Sequence, residues 1–251
     1  FDPRLFRNGR FSAGNVAMGA LFFAITGQMF YGNFYLQGAR GMSALHTGLV
    51  FLPGALGVAV GSGIGARLAK RFGVGPVSGI GLLVVAAGFV ANVGFGLHTS
   101  LWLFCAVGLV NGLAMGCAIA PTVAAVIAVL PVDRMGAGSA VNNTVRQVGS
   151  VLGIALLGTI LTTTYRDRIA PFLTALPEAA RDAASPSAEH TRAVAGALGR
   201  PDLTGAANDA FITAMHVTAA SAAVAAALGG ILLLTAFRTR KLAPEPALTP
   251  A

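Results

Sequence analysis

Acidic residues are nearly missing from the first half of this chain: none stands between Asp2 and Asp133. Charged residues of both signs make up only 10% of its 251 positions, against about 25% in a soluble domain. That shortfall excludes an ordinary water-soluble globule. Cysteine is limited to Cys105 and Cys117, inside one apolar run and not at metal-ligand spacing. Neither a disulfide framework nor a thiolate metal site is implied. The histidines, His46, His98, His190 and His216, are scattered, and no carboxylate pair or nucleophile elbow lies in any apolar run. No enzyme, metal or cofactor is therefore expected. The glycine-rich piece Gly61-Ser62-Gly63-Ile64-Gly65 lacks the Lys-Ser/Thr that a phosphate loop requires. The net charge of +8 comes without a basic stripe interleaved with aromatics, so no nucleic-acid partner is expected. The chain opens on Phe1 rather than Met, which points to a piece cut from a longer polypeptide.

What is present is apolar length. Hydrophobic residues reach 55%, and mean hydropathy is +0.74. Uncharged runs cover residues 11–39, 41–66, 72–132, 147–165 and 210–237, the third interrupted only by His98. A helical bilayer crossing takes about 20 apolar residues, so the third run holds two crossings with a turn near His98. The reading is all-α: a polytopic membrane protein, a six-transmembrane-helix bundle. Its spans are expected at 12–36, 47–68, 77–97, 101–130, 138–161 and 211–237. Strands are excluded, since no period-2 alternation is visible and a lipid-exposed strand needs a closed barrel.

Six spans put both ends on one side. One side gathers Arg4, Arg7 and Arg10, then Arg67, Lys70 and Arg71, then Arg134, then Arg238, Arg240 and Lys241. The other has Arg40 in a short loop and Arg166, Arg168, Arg181, Arg192 and Arg200 in a long one. The positive-inside rule then places both ends in the cytoplasm of a cell whose plasma (inner) membrane the chain crosses. Residues 1–11 become a cytoplasmic link, 12–164 the first five spans, 165–210 an extracellular or periplasmic loop, 211–237 the last span and 238–251 a tail. The long loop carries most of the acids and four prolines, and a solvated connector is expected there. Its alanine-rich pieces at 178–184 and 188–198 suit short helices.

Glycines recur at four-residue spacing: Gly57, Gly61 and Gly65; Gly108, Gly112 and Gly116; Gly149 and Gly153. Each set falls on one helix face and lets backbones approach, the small-xxx-small mode of membrane packing. Pro53 and Pro121 lie inside spans and should kink them. Polar side chains inside a membrane are costly and turn to a cavity or a partner helix. Span one carries Gln28, Tyr31, Asn33, Tyr35 and Gln37; span four carries Asn111; span five carries Asn142, Asn143, Thr144, Arg146 and Gln147. Spans three and six are polar-poor apart from Asn92 and His216. Spans one, four and five are thus expected to line an interior, with three and six at the periphery. Substrate-cavity candidates are Gln28, Tyr31, Asn33, Tyr35, Asn111, Asn142, Arg146 and Gln147. Arg146 lies roughly 12 Å into span five at about 1.5 Å per residue, with no acid in any span to pair with it. It either snorkels to the membrane edge or places charge on a cavity or interface.

Three segments carry a family likeness. Gly65-Ala-Arg67-Leu-Ala-Lys70-Arg71-Phe-Gly73 resembles a degenerate second copy of the major facilitator signature loop, between the second and third helices of a six-helix half. Residues 34–53, FYLQGARGMSALHTGLVFLP, and 136–149, GAGSAVNNTVRQVG, resemble its fourteen-span drug:proton antiporter branch, the EmrB/QacA-type multidrug efflux proteins. The long external loop before the last span fits the same branch. The likeness implies the C-terminal half of a major facilitator fold, with Gly65, Arg67, Lys70, Arg71 and Gly73 in the signature loop. Lys70 stands where the superfamily usually has Asp before the Arg, so that acid's role does not carry over.

The function implied is secondary active export of drugs or other small hydrophobic or cationic molecules by proton antiport. Expected partners are the missing N-terminal half of the same transporter, a small-molecule substrate, protons and membrane lipid. Spans two and five should pack on the missing half. The other reading is a self-contained six-span protein, a homo-oligomeric channel or an accessory subunit.

Overall fold

A computed structural model describes residues 7–237. The expected ends of the link and tail, with Arg4, Arg238, Arg240 and Lys241, lie outside the described residues. No strand occurs among the described residues, and six helices are long and apolar enough to cross a membrane. The first is α1 (Gly9–Asn33), which runs on through a π-helical stretch (Phe34–Ala39). Next come α2 (Ala44–Phe72), α3 (Val74–Asn92) and α4 (Leu101–Ala128). The fifth crossing is α5 (Met135–Leu152), a π-helical turn (Gly153–Leu157) and α6 (Gly158–Leu173). Two short helices follow, α7 (Glu178–Ala184) and α8 (Ala188–Ala197), and the last crossing is α9 (Pro201–Ala236).

The helices outrun the uncharged stretches that announce them. The fifth crossing continues through Arg166, Asp167 and Arg168 to Leu173, and α9 begins at Pro201 rather than near 211. Charge ends the apolar run but not the helix, because backbone hydrogen bonding continues into the interfacial zone. Polar caps set the starts of α1 and α2: Asn8 accepts from the Arg10 and Phe11 amides, and Ser43 from that of His46. The expected signature loop is itself helical to Phe72. The chain turns on one residue, Gly73, at φ 87°, a conformation that glycine takes without a Cβ clash. Arg67, Lys70 and Arg71 are exposed on that last helical stretch.

Packing follows an internal symmetry. α1 packs on α5 and α9, α4 packs on α2 and α3, and α3 packs on α9. Exchanging the first three crossings with the last three preserves this pattern, as in the inverted 3+3 repeats of transporter halves. The α1–α5 and α2–α4 contacts are the glycine seams. A Cβ at Gly57 would sit 2.6 Å from the Leu109 carbonyl oxygen, and one at Gly65 2.5 Å from the Cys117 Cα. Gly61 meets Leu113, Gly112 meets Gly54 and Gly116 meets Val58, all backbone to backbone. On the other seam Gly149 meets Gly19, and Gly153 meets Phe23 and Thr26. Gly108 departs from the expected set: a Cβ there would meet nothing within 4 Å.

Spans three and six are not peripheral. α3 buries Leu82, Val85 and Phe89, and α9 buries Ala214, Ala219, Ala222 and Ala226 at the centre of the bundle. Their lack of polar groups reflects tight apolar packing, not exposure to lipid. The long segment after Tyr165 is likewise folded. Tyr165 Oη and Thr191 Oγ1 lie 2.6 Å apart, and Thr191 Oγ1 donates to the Ala184 carbonyl at 2.8 Å. Ala184, Ala188, Ala195 and Leu203 join the buried cluster around Leu173 and Tyr165. Only the helical expectation at 178–184 and 188–198 describes this segment; a solvated connector does not. Arg192 donates to Asn208 Oδ1 at 3.0 Å. Burial draws its guanidinium below the usual arginine range, with Tyr165 and Glu189 acting the other way.

Candidate functional site

A side-chain-lined cleft of about 230 Å³ opens among α1, α2 and α4. Gln28 and Met29 come from α1, Phe51 and Val58 from α2, and Phe104, Asn111 and Met115 from α4. Asn92, at the end of α3, closes one corner. Pro53 lies beside it in α2, where Gly54 and Gly112 allow the two helices to meet. Among the described residues, no Asp, Glu, Lys, Arg or His lines the cleft. Met29, 52% exposed, marks its open rim. Asn111 is about 15 Å along α4 from Leu101, at about 1.5 Å per residue, so the cleft lies well inside the bundle.

The aromatic end of the cleft is firmly built. Tyr35 stacks on Phe104 with centroids 5.9 Å apart, and Phe95 and Phe51 approach the same ring at 5.6 and 6.1 Å. Three side chains clamp the α3–α4 turn beneath it. Tyr35 Oη donates to the Gly96 carbonyl at 2.8 Å, and Arg40 donates to the Thr99 carbonyl at 2.7 Å. His216 Nε2 lies 2.7 Å from the Phe95 carbonyl, which accepts its proton.

The sequence candidates separate into three groups. Gln28 and Asn111 line the cleft. Asn111 is 3% exposed, and neither its Nδ2 nor its Oδ1 has a hydrogen-bond partner among the described residues. Tyr31 and Tyr35 do not line it: both are buried, and Tyr31 Oη instead accepts from Asn92 Nδ2 at 3.1 Å. Asn33 donates to the Met29 carbonyl at 2.7 Å and accepts from Gln37 at 3.2 Å on the exposed side of the helix. These hydroxyls and amides hold the scaffold that positions the cleft.

Asn142, Arg146 and Gln147 lie elsewhere, near the start of the fifth crossing. Asn142 is 3% exposed and donates to Asn15 Oδ1 at 3.0 Å, while Asn15 donates to the Phe11 carbonyl at 2.9 Å. Gln147 is exposed. The Arg146 guanidinium sits over the Phe22 ring, 4.2 Å from its centroid, and its Nε is buried without a hydrogen-bond partner. A cation over an aromatic face gains electrostatic stabilisation from the ring quadrupole, so this arginine is laid against α1 instead of extending freely to the edge. Sequence reasoning missed Asn15, Gly88, Phe51, Phe104 and the two methionines. Only Asn15 gave a usable signal, as a polar residue inside an uncharged run.

A six-helix bundle with inverted pairing and an uncharged cleft between helices defines a unit of a membrane transporter fold. Residues 16–177 match the model of the Major Facilitator Superfamily, and the chain belongs to that family. Its likeness to the multidrug efflux pump LfrA of Mycolicibacterium smegmatis is 32% identity over 90% of this chain and 47% of that protein. It is 30% identical to the tetracenomycin C resistance and export protein of Streptomyces glaucescens, over 65% of this chain and 30% of that protein. Among solved structures it resembles a bacterial homologue of the human lysosomal transporter Spinster, inward-facing and unoccupied, with a TM-score of 0.70 and 16% identity. That alignment covers 96% of this chain and 52% of the other. The chain therefore spans about half the length, or less, of the relatives it matches.

Proposed function

We propose that this chain forms the C-terminal half of a fourteen-span exporter of drugs or other small hydrophobic or cationic molecules, driven by proton antiport. The observation that carries this reading is the cleft: aromatic and methionine walls, two free-standing amides and no charge, suited to apolar bodies of varied shape. Drug export by relatives of about twice this length supports it. The N-terminal half would cover the apolar faces of α2 and α5. Leu45, Leu49, Leu52, Leu56 and Val60 are exposed on the first, and Val148, Val151 and Leu152 on the second. That half would also supply the membrane carboxylate for proton coupling, and an acid to meet Arg146.

The test uses the native reading frame expressed in a bacterial strain stripped of its own efflux pumps. Ethidium accumulation should fall several-fold, and a protonophore should restore it. Unchanged accumulation with the protein present in the membrane would remove the export reading. Export insensitive to protonophore would remove only the antiport.

A further inference from the structure

We infer that the cleft takes a ligand carrying an amide, an adjacent N–H donor and carbonyl acceptor, and that Asn111 is the residue that reads it. This rests on the transporter reading above. The other buried amides of the bundle show the usual arrangement: Asn142 is bonded to Asn15, and Asn92 to Tyr31. Asn111 is the exception, with both its donor and its acceptor unpartnered behind 3% exposure, and it stands on the cleft wall. The orphaned hydroxyls of Thr47, Ser78 and Thr122 are not comparable, because a helical hydroxyl can turn to its own i−4 carbonyl. A primary amide has two groups to satisfy: its N–H can turn to the i−4 carbonyl, as in Asn15 and Asn33, but its carbonyl oxygen has no such local outlet, and the Asn111 amide takes neither partner. Leaving both without a partner at a buried position costs free energy that an occupant recovers by pairing them.

Gly88 explains how the amide is kept. Any Cβ on Gly88 would collide with the Asn111 Oδ1, Nδ2 and Cγ, so the amide rests directly on the α3 backbone. A turn about its own side-chain torsions carries it from that seat into the cleft. The chemistry it demands there is two-sided. A carboxylate offers acceptors only and an ammonium donors only, and each leaves one Asn111 atom unpaired. An amide satisfies both in a paired ring of two hydrogen bonds. Gln28 adds a second uncharged polar contact, and Phe51, Phe104 and Met115 receive an apolar or aromatic body. With no charged side chain on the cleft wall, this half selects by hydrogen-bond pattern and shape.

The probe pair is 2-naphthamide and N,N-dimethyl-2-naphthamide, which share a ring and a carbonyl but differ in the N–H donors. Binding is measured by equilibrium dialysis on the intact transporter in lipid nanodiscs, with ethidium as an independent ligand. The expected result is at least tenfold tighter binding of 2-naphthamide. Asn111→Leu, similar in size and free of polar atoms, should bring the two probes within about twofold by weakening the amide. Gly88→Ala, which keeps Asn111 but removes its seat, should shift 2-naphthamide affinity at least threefold and leave a preference for it. Equal binding of the two probes, or a preference that survives Asn111→Leu, overturns the proposal. So does failure of 2-naphthamide to bind protein that still binds ethidium, an outcome that leaves the export reading standing. Protein that binds neither probe nor ethidium, and exports nothing in cells, removes both.

Discussion

Asn142 shows how a polar residue in a membrane helix divides between function and packing. The sequence places it four residues from Arg146, on what looks like a cavity face. In the structure both reach α1: Asn142 bonds to Asn15 and Arg146 lies on Phe22. The missing information was the partner, since Asn15 is 127 positions away in the chain. The same blindness applied to Tyr31 and Tyr35, whose hydroxyls bond to Asn92 and Gly96. Spacing of 3–4 gives a shared helix face, but not whether that face meets a cleft or a neighbour. Replacing Asn142 by Leu leaves the buried Asn15 Oδ1 without that donor. An orphaned acceptor costs about 1–3 kcal/mol in soluble proteins, whereas interhelical polar contacts in membranes average about 0.6 kcal/mol. A loss of about 1 kcal/mol is expected for Asn142→Leu and a similar one for Asn15→Leu. The double variant should lose clearly less than the sum, because it removes both partners. SDS-titrated unfolding of the four proteins measures this cycle, and strictly additive losses would mean that the two amides are not coupled.

Helix by helix, the six crossings were legible because uncharged length is a direct demand of the bilayer. Which of them face inward was not. Lipid tails and a packed apolar interior are equally oily, so hydropathy does not distinguish α3 and α9, which are deeply packed, from helices bordering lipid. Alanine at close spacing in α9 was the better clue, since small side chains allow helices to approach. The glycine seams were readable for the same reason, with one error that makes a useful control. Gly61 sits against the Leu113 backbone, whereas Gly108 has open space where a Cβ would go. Gly61→Ala must push α2 and α4 apart and should cost about 1–3 kcal/mol, the usual range for overpacking. Gly108→Ala meets nothing and gains up to about 1 kcal/mol of helix propensity. Thermal unfolding of the detergent-purified protein should therefore move in opposite directions for these two identical substitutions. A shift of the same sign and size for both would mean that the α2–α4 seam is not a tight backbone contact.

At the scale of the whole molecule the inverted pairing leaves two different ends. One gathers Asn8, the Gly73 turn, Arg134 and Phe237, with Gly75 and Gly14 both packed against Phe237. The other carries the α7–α8 cap, with Arg40 and His216 clamping the α3–α4 turn. Basic residues are present at both, but they do different things. Arg67, Lys70 and Arg71 are exposed on the helix end next to Gly73, free to meet anionic headgroups and cytoplasmic water. On the cap end Arg40 is bonded to Thr99, Arg192 to Asn208, and Arg200 to Asp202 at 2.6 Å. Lys and Arg close to the ends of the crossings favour the cytoplasmic side. The Gly73 end should face the cytoplasm and the cap the outside. A single cysteine at Ala183, exposed on α7, tests this in a background with Cys105 and Cys117 replaced by serine. Whole cells should label it with a membrane-impermeant maleimide, while a cysteine at Lys70 should react only after permeabilisation. The reverse pattern would put the cap in the cytoplasm and point the cleft's open end the other way for export.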